Sequence, residues 1–234
     1  MMPSFPLGDL AIVVGAAGGI GDACVRALTG SESFAATVGL SRRSSPALDL
    51  ADEASIVRCA EFIARLGVPR LILVTTGVLH RDRMQPEKRL RQLDAATLTE
   101  AFVVNAIGPA LVMKHFLPLL AREGKAVFAA LSARVGSIGD NHLGGWYGYR
   151  ASKAALNQLV RTAAVELNRR QRQAICVALH PGTVDTRLSA PFGKTGLDVQ
   201  SPDMAAERLL GVIDRLGAGD SGGFFDQHGK AVPW

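Results

Sequence analysis

The chain has 234 residues, 48% of them hydrophobic and 20% charged, which suits one globular domain and excludes a disordered or fibrous polypeptide. The formal net charge is +5, from 26 basic against 21 acidic side chains. With two tyrosines, two tryptophans and no run of five basic residues, that excess fits a phosphorylated small molecule better than nucleic acid.

In chain order, residues 10–14 form an unbroken aliphatic run closed by glycines, the pattern of a buried parallel strand. Residues 19–28 follow as a helix, 36–40 as a second strand and 52–66 as a second helix. Residues 71–74, 126–131 and 174–179 are further strands. Between them lie long helices over 94–122 and 149–171, the first broken or kinked at Pro109, which lacks an N–H and crowds the preceding turn. Ser201, Pro202 and Asp203 open a last helix with an N-cap, an N1 proline and an early acid. It ends near Leu216, before a short strand over 223–226. Two irregular stretches, 79–93 and 188–200, exceed ordinary connections.

Alternation from end to end predicts an α/β fold: one Rossmann-type, doubly wound, mainly parallel sheet with helices on both faces. A single domain over 1–234 is expected, with a cofactor half over about 1–125 and a catalytic and substrate half over about 126–234 sharing one core. Three scattered cysteines, Cys24, Cys59 and Cys176, make no Cys-x-x-Cys pair, so no metal site is expected and a reducing, cytoplasmic setting is. The most lipophilic segment, 102–120, carries Asn105, Lys114, His115 and two prolines, so no membrane span is expected. The first eight residues lack the basic flank and apolar core of a signal peptide.

The first strand runs into Gly15-Ala16-Ala17-Gly18-Gly19-Ile20-Gly21. A glycine-rich turn before a helix lets the backbone approach a pyrophosphate, and the helix N-terminus adds free N–H groups and partial positive charge. The spacing is Gly-x-x-x-Gly-x-Gly, not the common Gly-x-Gly-x-x-Gly, because Cys24 falls where the third glycine would be. A second constellation is sharper. Tyr149 and Lys153, four apart at a helix start, project from one face. An ammonium beside a phenol favours the phenolate, so the tyrosine is expected to titrate toward neutrality and to act as general acid or base on a carbonyl or alcohol. Tyr147 lacks such a partner, since its +4 residue is Ala151.

These two motifs, in this order, resemble the short-chain dehydrogenase/reductase family over essentially the whole chain. Within it the sequence looks most like C-factor-like and carbonyl-reductase-like members, in Gly77-Val78-Leu79-His80, in 105–109, in 144–153 and in the closing Ala231-Val232-Pro233-Trp234. The resemblance implies strand order 3-2-1-4-5-6-7 and an NADP(H)-dependent oxidoreductase interconverting a carbonyl and an alcohol on a small substrate. Tyr149 would transfer the proton, Lys153 would hold the nicotinamide ribose, and Asn105, through a distorted helix, would hold a water in the proton relay. Cofactor contacts would come from Gly15, Ala17, Gly19, Ile20, Gly21, Ser41, Arg42, Asp49, Leu50, Thr75, Thr76 and Gly77. Further contacts would come from Pro181, Gly182, Thr183, Val184 and Thr186. Residues 188–200 occupy the place of the substrate-covering loop, and their glycines and prolines suit a mobile lid.

NADP(H) is expected over NAD(H), because Ser41-Arg42-Arg43 offers no carboxylate for a ribose 2′-hydroxyl, whereas an arginine can bond a 2′-phosphate. Arg42 is the first choice and Arg43 the second; Gly18 dissents, standing where many NADP(H) members carry a basic residue. Thr75 stands where the family has an asparagine tying the sheet together. The family's serine donor falls on Ala133. Ser132 at the strand end is the first candidate to replace it, Ser137 the second, and no serine donor the third. The loop 80–91, with Arg81, Arg83, Lys88, Arg89 and Arg91 among Asp82 and Glu87, reads as a solvated face with local ion pairs or as a contact for an anion. A homodimer or homotetramer is expected through the helices beginning near Asp94 and Tyr149. Neither nucleic acid nor membrane is an expected partner. The competing reading is a dinucleotide-binding regulatory or signalling protein with little turnover.

Overall fold

The computed structural model describes residues 2–81, 84–192, 196 and 198–234. Asp82 and Arg83 of the basic loop, and residues 193–195 and 197 of the expected lid, lie outside them. The elements run β1 (Leu10–Val14), α1 (Gly19–Thr29), β2 (Ala36–Leu40), α2 (Glu53–Leu66), β3 (Pro69–Val74), α3 (Ala95–Phe102) and α4 (Gly108–Phe116). They continue with β4 (Ala126–Leu131), α5 (Tyr147–Arg170), β5 (Ala174–His180), β6 (Thr183–Val184), β7 (Val199–Gln200), α6 (Pro202–Arg215) and β8 (Phe224–Asp226). Six strands form one parallel sheet in the order β2-β1-β3-β4-β5-β8, and β6 pairs with β7 apart from it.

The α/β reading holds, but the seven-strand order implied by the resemblance does not. β2 is the edge of the sheet. Only residues 41–52 separate it from α2, too few for a helical crossover and a further parallel strand. Those residues instead fold back on themselves, with Leu48 N–H donating to Ser41 O at 2.9 Å.

Alternation along β1 shows how the layers form. Leu10, Ile12 and Val14 face a core shared with Ile56 and Ile63 of α2, Phe116 of α4 and Leu156 of α5. Ala11 and Val13 face the opposite core, against Cys24 and Leu28 of α1 and Leu209 and Ile213 of α6. Each such aliphatic side chain, fully buried, stabilises the fold by about 1.5–3 kcal/mol.

Pro109 does not break its helix. Helix runs continuously over Ala95–Leu119 because the turn just before the proline, Val103–Ile107, is widened to π geometry. That adjustment accommodates the ring and the missing N–H. This helix has the length and apolarity to cross a membrane, yet Ala101, Asn105, Ala106, Val112, Met113 and Phe116 are buried within the protein, and α4 packs on α2 and α5. It is a core helix.

Candidate active site

All strands of the main sheet end at one edge. Val14 lies in register between Leu40 and Val74, which sets Gly15, Ser41 and Thr75 side by side. Gly15 N–H donates to Leu40 O and Thr75 N–H to Val14 O, both at 2.8 Å. Thr75 Oγ1 also donates to Val14 O, at 3.0 Å, so this threonine supplies the tie between β1 and β3 expected of it. Gly15 sits at φ +95°, and a Cβ there would lie 2.7 Å from Thr75 Oγ1. Gly21 packs even closer: its Cβ would lie 2.2 Å from Gly15 O, so any side chain would push α1 off the loop.

Two adjoining cavities, of about 550 and 430 Å³, open along this edge. They share Gly18, Arg42, Thr75, Thr76, Gly77, Arg81 and Arg187. The first is walled by Gly15, Ala17, Ser41, Arg42, Asp49 and Leu50. The second is walled by Gly19, Ile20, Ser132, Tyr149, Lys153, Pro181 and Thr186. Sequence reasoning therefore collected most of both walls. Gly21, Gly182, Thr183 and Val184, also expected at the cofactor, are on neither wall; Gly182, at φ +76°, turns the chain into β6. Arg187 carries no signal in the sequence, and Leu79 and Phe192, which lies beside Tyr149, fall in stretches the sequence singles out without giving either a role of its own, since irregular segments carry no periodic signal.

The walls fit a phosphorylated dinucleotide. The N-terminus of α1 has no side-chain cap at Gly18, which leaves its first N–H groups for an anion. Thr76 Oγ1, on both walls, is buried with no hydrogen-bond partner among the described residues, an arrangement that normally calls for a ligand or water.

Tyr149 and Lys153 lie one turn apart on α5 and reach the same cavity. Tyr149, 9% exposed, packs with Leu79 and Ala133 and is ringed by Val135, Trp146, Leu188 and Phe192. Lys153, 2% exposed, donates from Nζ to Leu131 O at 2.8 Å. Asn105 is fully buried in the π turn: its Oδ1 accepts from Val78 N–H at 2.8 Å, and its Nδ2 donates to Val78 O at 2.8 Å and Ser152 Oγ at 3.1 Å. It thereby joins the β3 exit to α5. Ala133 is the residue beside Tyr149. Ser132 lines the cavity, but its hydroxyl donates to Asn157 Oδ1 at 2.6 Å. Ser137 accepts from Asp140 N–H at 3.1 Å and is on neither wall.

One electrostatic expectation is overturned. The phenol of Tyr149 is not drawn toward neutrality; burial pushes it up to about 12. The same burial pushes Lys153 down to about 7. Desolvation penalises both charged forms, and the ammonium spends a hydrogen bond on Leu131 O. At neutral pH the phenol keeps its proton.

The family model for enoyl-(acyl carrier protein) reductase matches residues 15–212, from the first loop glycine into α6. The chain belongs to the short-chain dehydrogenase/reductase family. It is an oxidoreductase of that family. It is 39% identical over 145 residues to C-signal of Myxococcus xanthus, covering 62% of this chain and 83% of that one. It is 31% identical over 191 residues to 1-hydroxy-2-glutathionyl-2-methyl-3-butene dehydrogenase of Rhodococcus sp. strain AD45, covering 81% of this chain and 79% of that one. In fold it matches NADPH-bound carbonyl reductase from chicken fatty liver, with a TM-score of 0.85 at 24% identity over 99% of this chain and 96% of that one.

Proposed function

We propose that this oxidoreductase reduces a carbonyl on a small substrate at the expense of NADP(H), with Tyr149 giving the proton. The observation that carries the reading is the pairing of a buried, protonated phenol with a buried lysine one helical turn away, at the floor of the cavity that adjoins the glycine loop. The dinucleotide, when bound, supplies the hydride.

Each residue then has a task. Gly15, Gly19 and Gly21 give the backbone its close approach, and Thr76 Oγ1 offers an unused hydrogen bond. Arg42, exposed on the lip of both cavities, meets a 2′-phosphate. Lys153 holds ribose hydroxyls. Asn105 fixes the Val78 backbone against α5, through Ser152, whose Oγ donates to Tyr149 O at 2.9 Å. Ala133 has no proton to offer and that of Ser132 is already given to Asn157, so the carbonyl oxygen is polarised by the Tyr149 hydroxyl itself.

We place the activity in the cytoplasm, in keeping with three free, buried thiols. Self-association runs through the groove between α4 and α5, which is lined by Met113, Leu117 and Leu159. The likeness to a protein named C-signal favours a second reading, a dinucleotide-binding regulatory protein with little turnover. A panel of carbonyl substrates, followed at the absorbance of the reduced nicotinamide, separates the two. Tyr149→Phe should bind dinucleotide normally and lose nearly all turnover. Near-wild-type rates in that variant would overturn the assignment of Tyr149, and a panel with no turnover by the wild type would favour the regulatory reading.

A further inference from the structure

Among the described residues of the basic loop after β3, Glu87 is a charged side chain that a solvated face does not explain. Arg81, Lys88, Arg89 and Arg91 are exposed, whereas Glu87 is buried, 7% exposed. The loop is folded to present it: Gln92 Oε1 accepts from Lys88 N–H at 2.8 Å and Arg89 N–H at 2.9 Å, closing the turn just after Glu87.

Glu87 reaches the start of the helix that carries Tyr149. Its Oε2 accepts from Gly148 N–H at 3.1 Å, and its main-chain oxygen accepts from Trp146 N–H at 2.5 Å. A carboxylate at a helix N-terminus also complements the helix dipole. Gly148 makes room for it, since a Cβ there would lie 3.0 Å from Glu87 Oε1 and 3.1 Å from Leu98 Cδ2.

The backbone so held is unusual. Gly144, Gly145 and Trp146 are all left-handed, at φ +63°, +66° and +52°. Tryptophan pays a steric penalty there that glycine does not, and such conformations persist only where surrounding contacts impose them. Arg150 grips the segment from the carbonyl side. Its Nε donates to Gly145 O at 2.9 Å and Gly144 O at 3.3 Å, and its Nη1 to Val135 O at 3.2 Å. Glu87 thus holds donors and Arg150 acceptors on either side of the turn into α5. Trp146 in turn stands edge-on to Tyr149, with ring centroids 6.2 Å apart.

We propose that Glu87 is a positioning residue for Tyr149, clamping the left-handed entry to α5 through Gly148 and Trp146. The proposal rests on the reading of Tyr149 as the proton donor. Misplacing a reacting group by about 1 Å can cost on the order of 10²-fold in rate, so the effect belongs in kcat.

The test compares Glu87→Ala with Glu87→Gln, whose amide oxygen still accepts from Gly148. Glu87→Ala should lower kcat by about 10- to 100-fold while dinucleotide affinity changes by much less, because none of the contacts described for Glu87 is to the glycine loop and Lys153 is held separately by Leu131 O. Glu87→Gln should restore most of the loss. In a Tyr149→Phe background, Glu87→Ala should add little further. Amide hydrogen exchange over 146–149 should quicken in Glu87→Ala and stay slow in Glu87→Gln. Wild-type kcat in Glu87→Ala, or equal loss of kcat and dinucleotide affinity, or failure of Glu87→Gln to rescue, would overturn the proposal. If the exchange pattern appears as expected but no form of the protein, wild type included, turns over a carbonyl, the clamp stands and only the reading of Tyr149 falls.

Discussion

Lys153 ties the chemistry of the site to the stability of the fold, and the tie has a sign and a size. Burial lowers its pKa from 10.5 to about 7, whereas the unfolded chain keeps the ordinary value. Between those two values the unfolded state binds more protons than the folded one, so stability rises with pH across this window and falls as pH drops toward 7. Cys24 and Cys176, both pushed up to about 12 by burial, and Tyr149, also near 12, act oppositely. Their unfolded forms release protons first, but only toward the alkaline end. The thiols, with an ordinary value of 9.0, and His180, lowered to about 4 by burial, titrate at the ends of the range in wild type and in a Lys153→Met variant alike. The lysine is therefore read from the difference between the two over the window of about pH 7 to 8.5. Across it the slope approaches 1.36 kcal/mol per pH unit, and integration gives a gain of roughly 1.5 kcal/mol. Urea unfolding of dinucleotide-free protein, in wild type and Lys153→Met, reads this directly. The variant also loses the bond to Leu131 O, which shifts its stability by a pH-independent amount, so only the difference in slope counts. A wild-type-minus-variant difference that stays flat or falls between pH 7 and 8.5 would refute the argument that Lys153 is held near neutrality by desolvation.

Arg42→Ala should weaken NADP(H) binding by roughly 10- to 100-fold, the worth of charge-assisted bonds, and leave NAD(H) binding unchanged in a fluorescence titration; equal losses for both would remove the 2′-phosphate assignment. Ser132→Ala should leave kcat within a few-fold of wild type, because its hydroxyl serves Asn157. Ala133→Ser, which adds a donor beside Tyr149, should raise kcat on carbonyl substrates by about tenfold or more. Light scattering should return twice the 24.7 kDa chain mass or a higher multiple, with Leu159→Glu, in the α4–α5 groove, moving it toward one chain.

What the sequence made legible follows from where its constraints are local. A run such as Leu10–Val14 has few alternatives to a buried parallel strand, and Gly15 and Gly21 are dictated by sub-van-der-Waals approaches that exclude every other residue. Four-residue spacing suffices to align Tyr149 with Lys153. The absence of a seventh strand also follows from length, since residues 41–52 cannot hold a crossover and a further parallel strand, whatever order the resemblance implies. Of the break or kink expected at Pro109, the break does not occur: a proline's cost depends on whether the preceding turn can widen, and the turn around Asn105 does. Trp146, Phe192 and Glu87 sit in irregular backbone, where neither a period of two nor one of 3.6 marks which side chain turns inward. The left-handed conformation of Trp146 least of all could be read from its residue type.

The Tyr149 phenol departs furthest from what spacing alone implies. Spacing alone puts an ammonium beside a phenol, and Coulomb attraction alone would favour phenolate. In the folded site both groups are dry, so each is driven toward its uncharged form: the phenol keeps its proton up to about pH 12 and the amine gives its own up near 7. A site so arranged begins with a proton to give. Carbonyl reduction consumes that proton at the substrate oxygen, whereas alcohol oxidation would first require the phenol to be emptied against its desolvation. Leu79, Ala133 and Leu188 are the apolar walls around the phenol, and Ser132, whose hydroxyl donates to Asn157, offers the substrate oxygen no second donor. On the proposed reading, proton supply and carbonyl polarisation both fall on the Tyr149 hydroxyl, and its placement at the entry to α5 matters more than in a site with a serine to share the task.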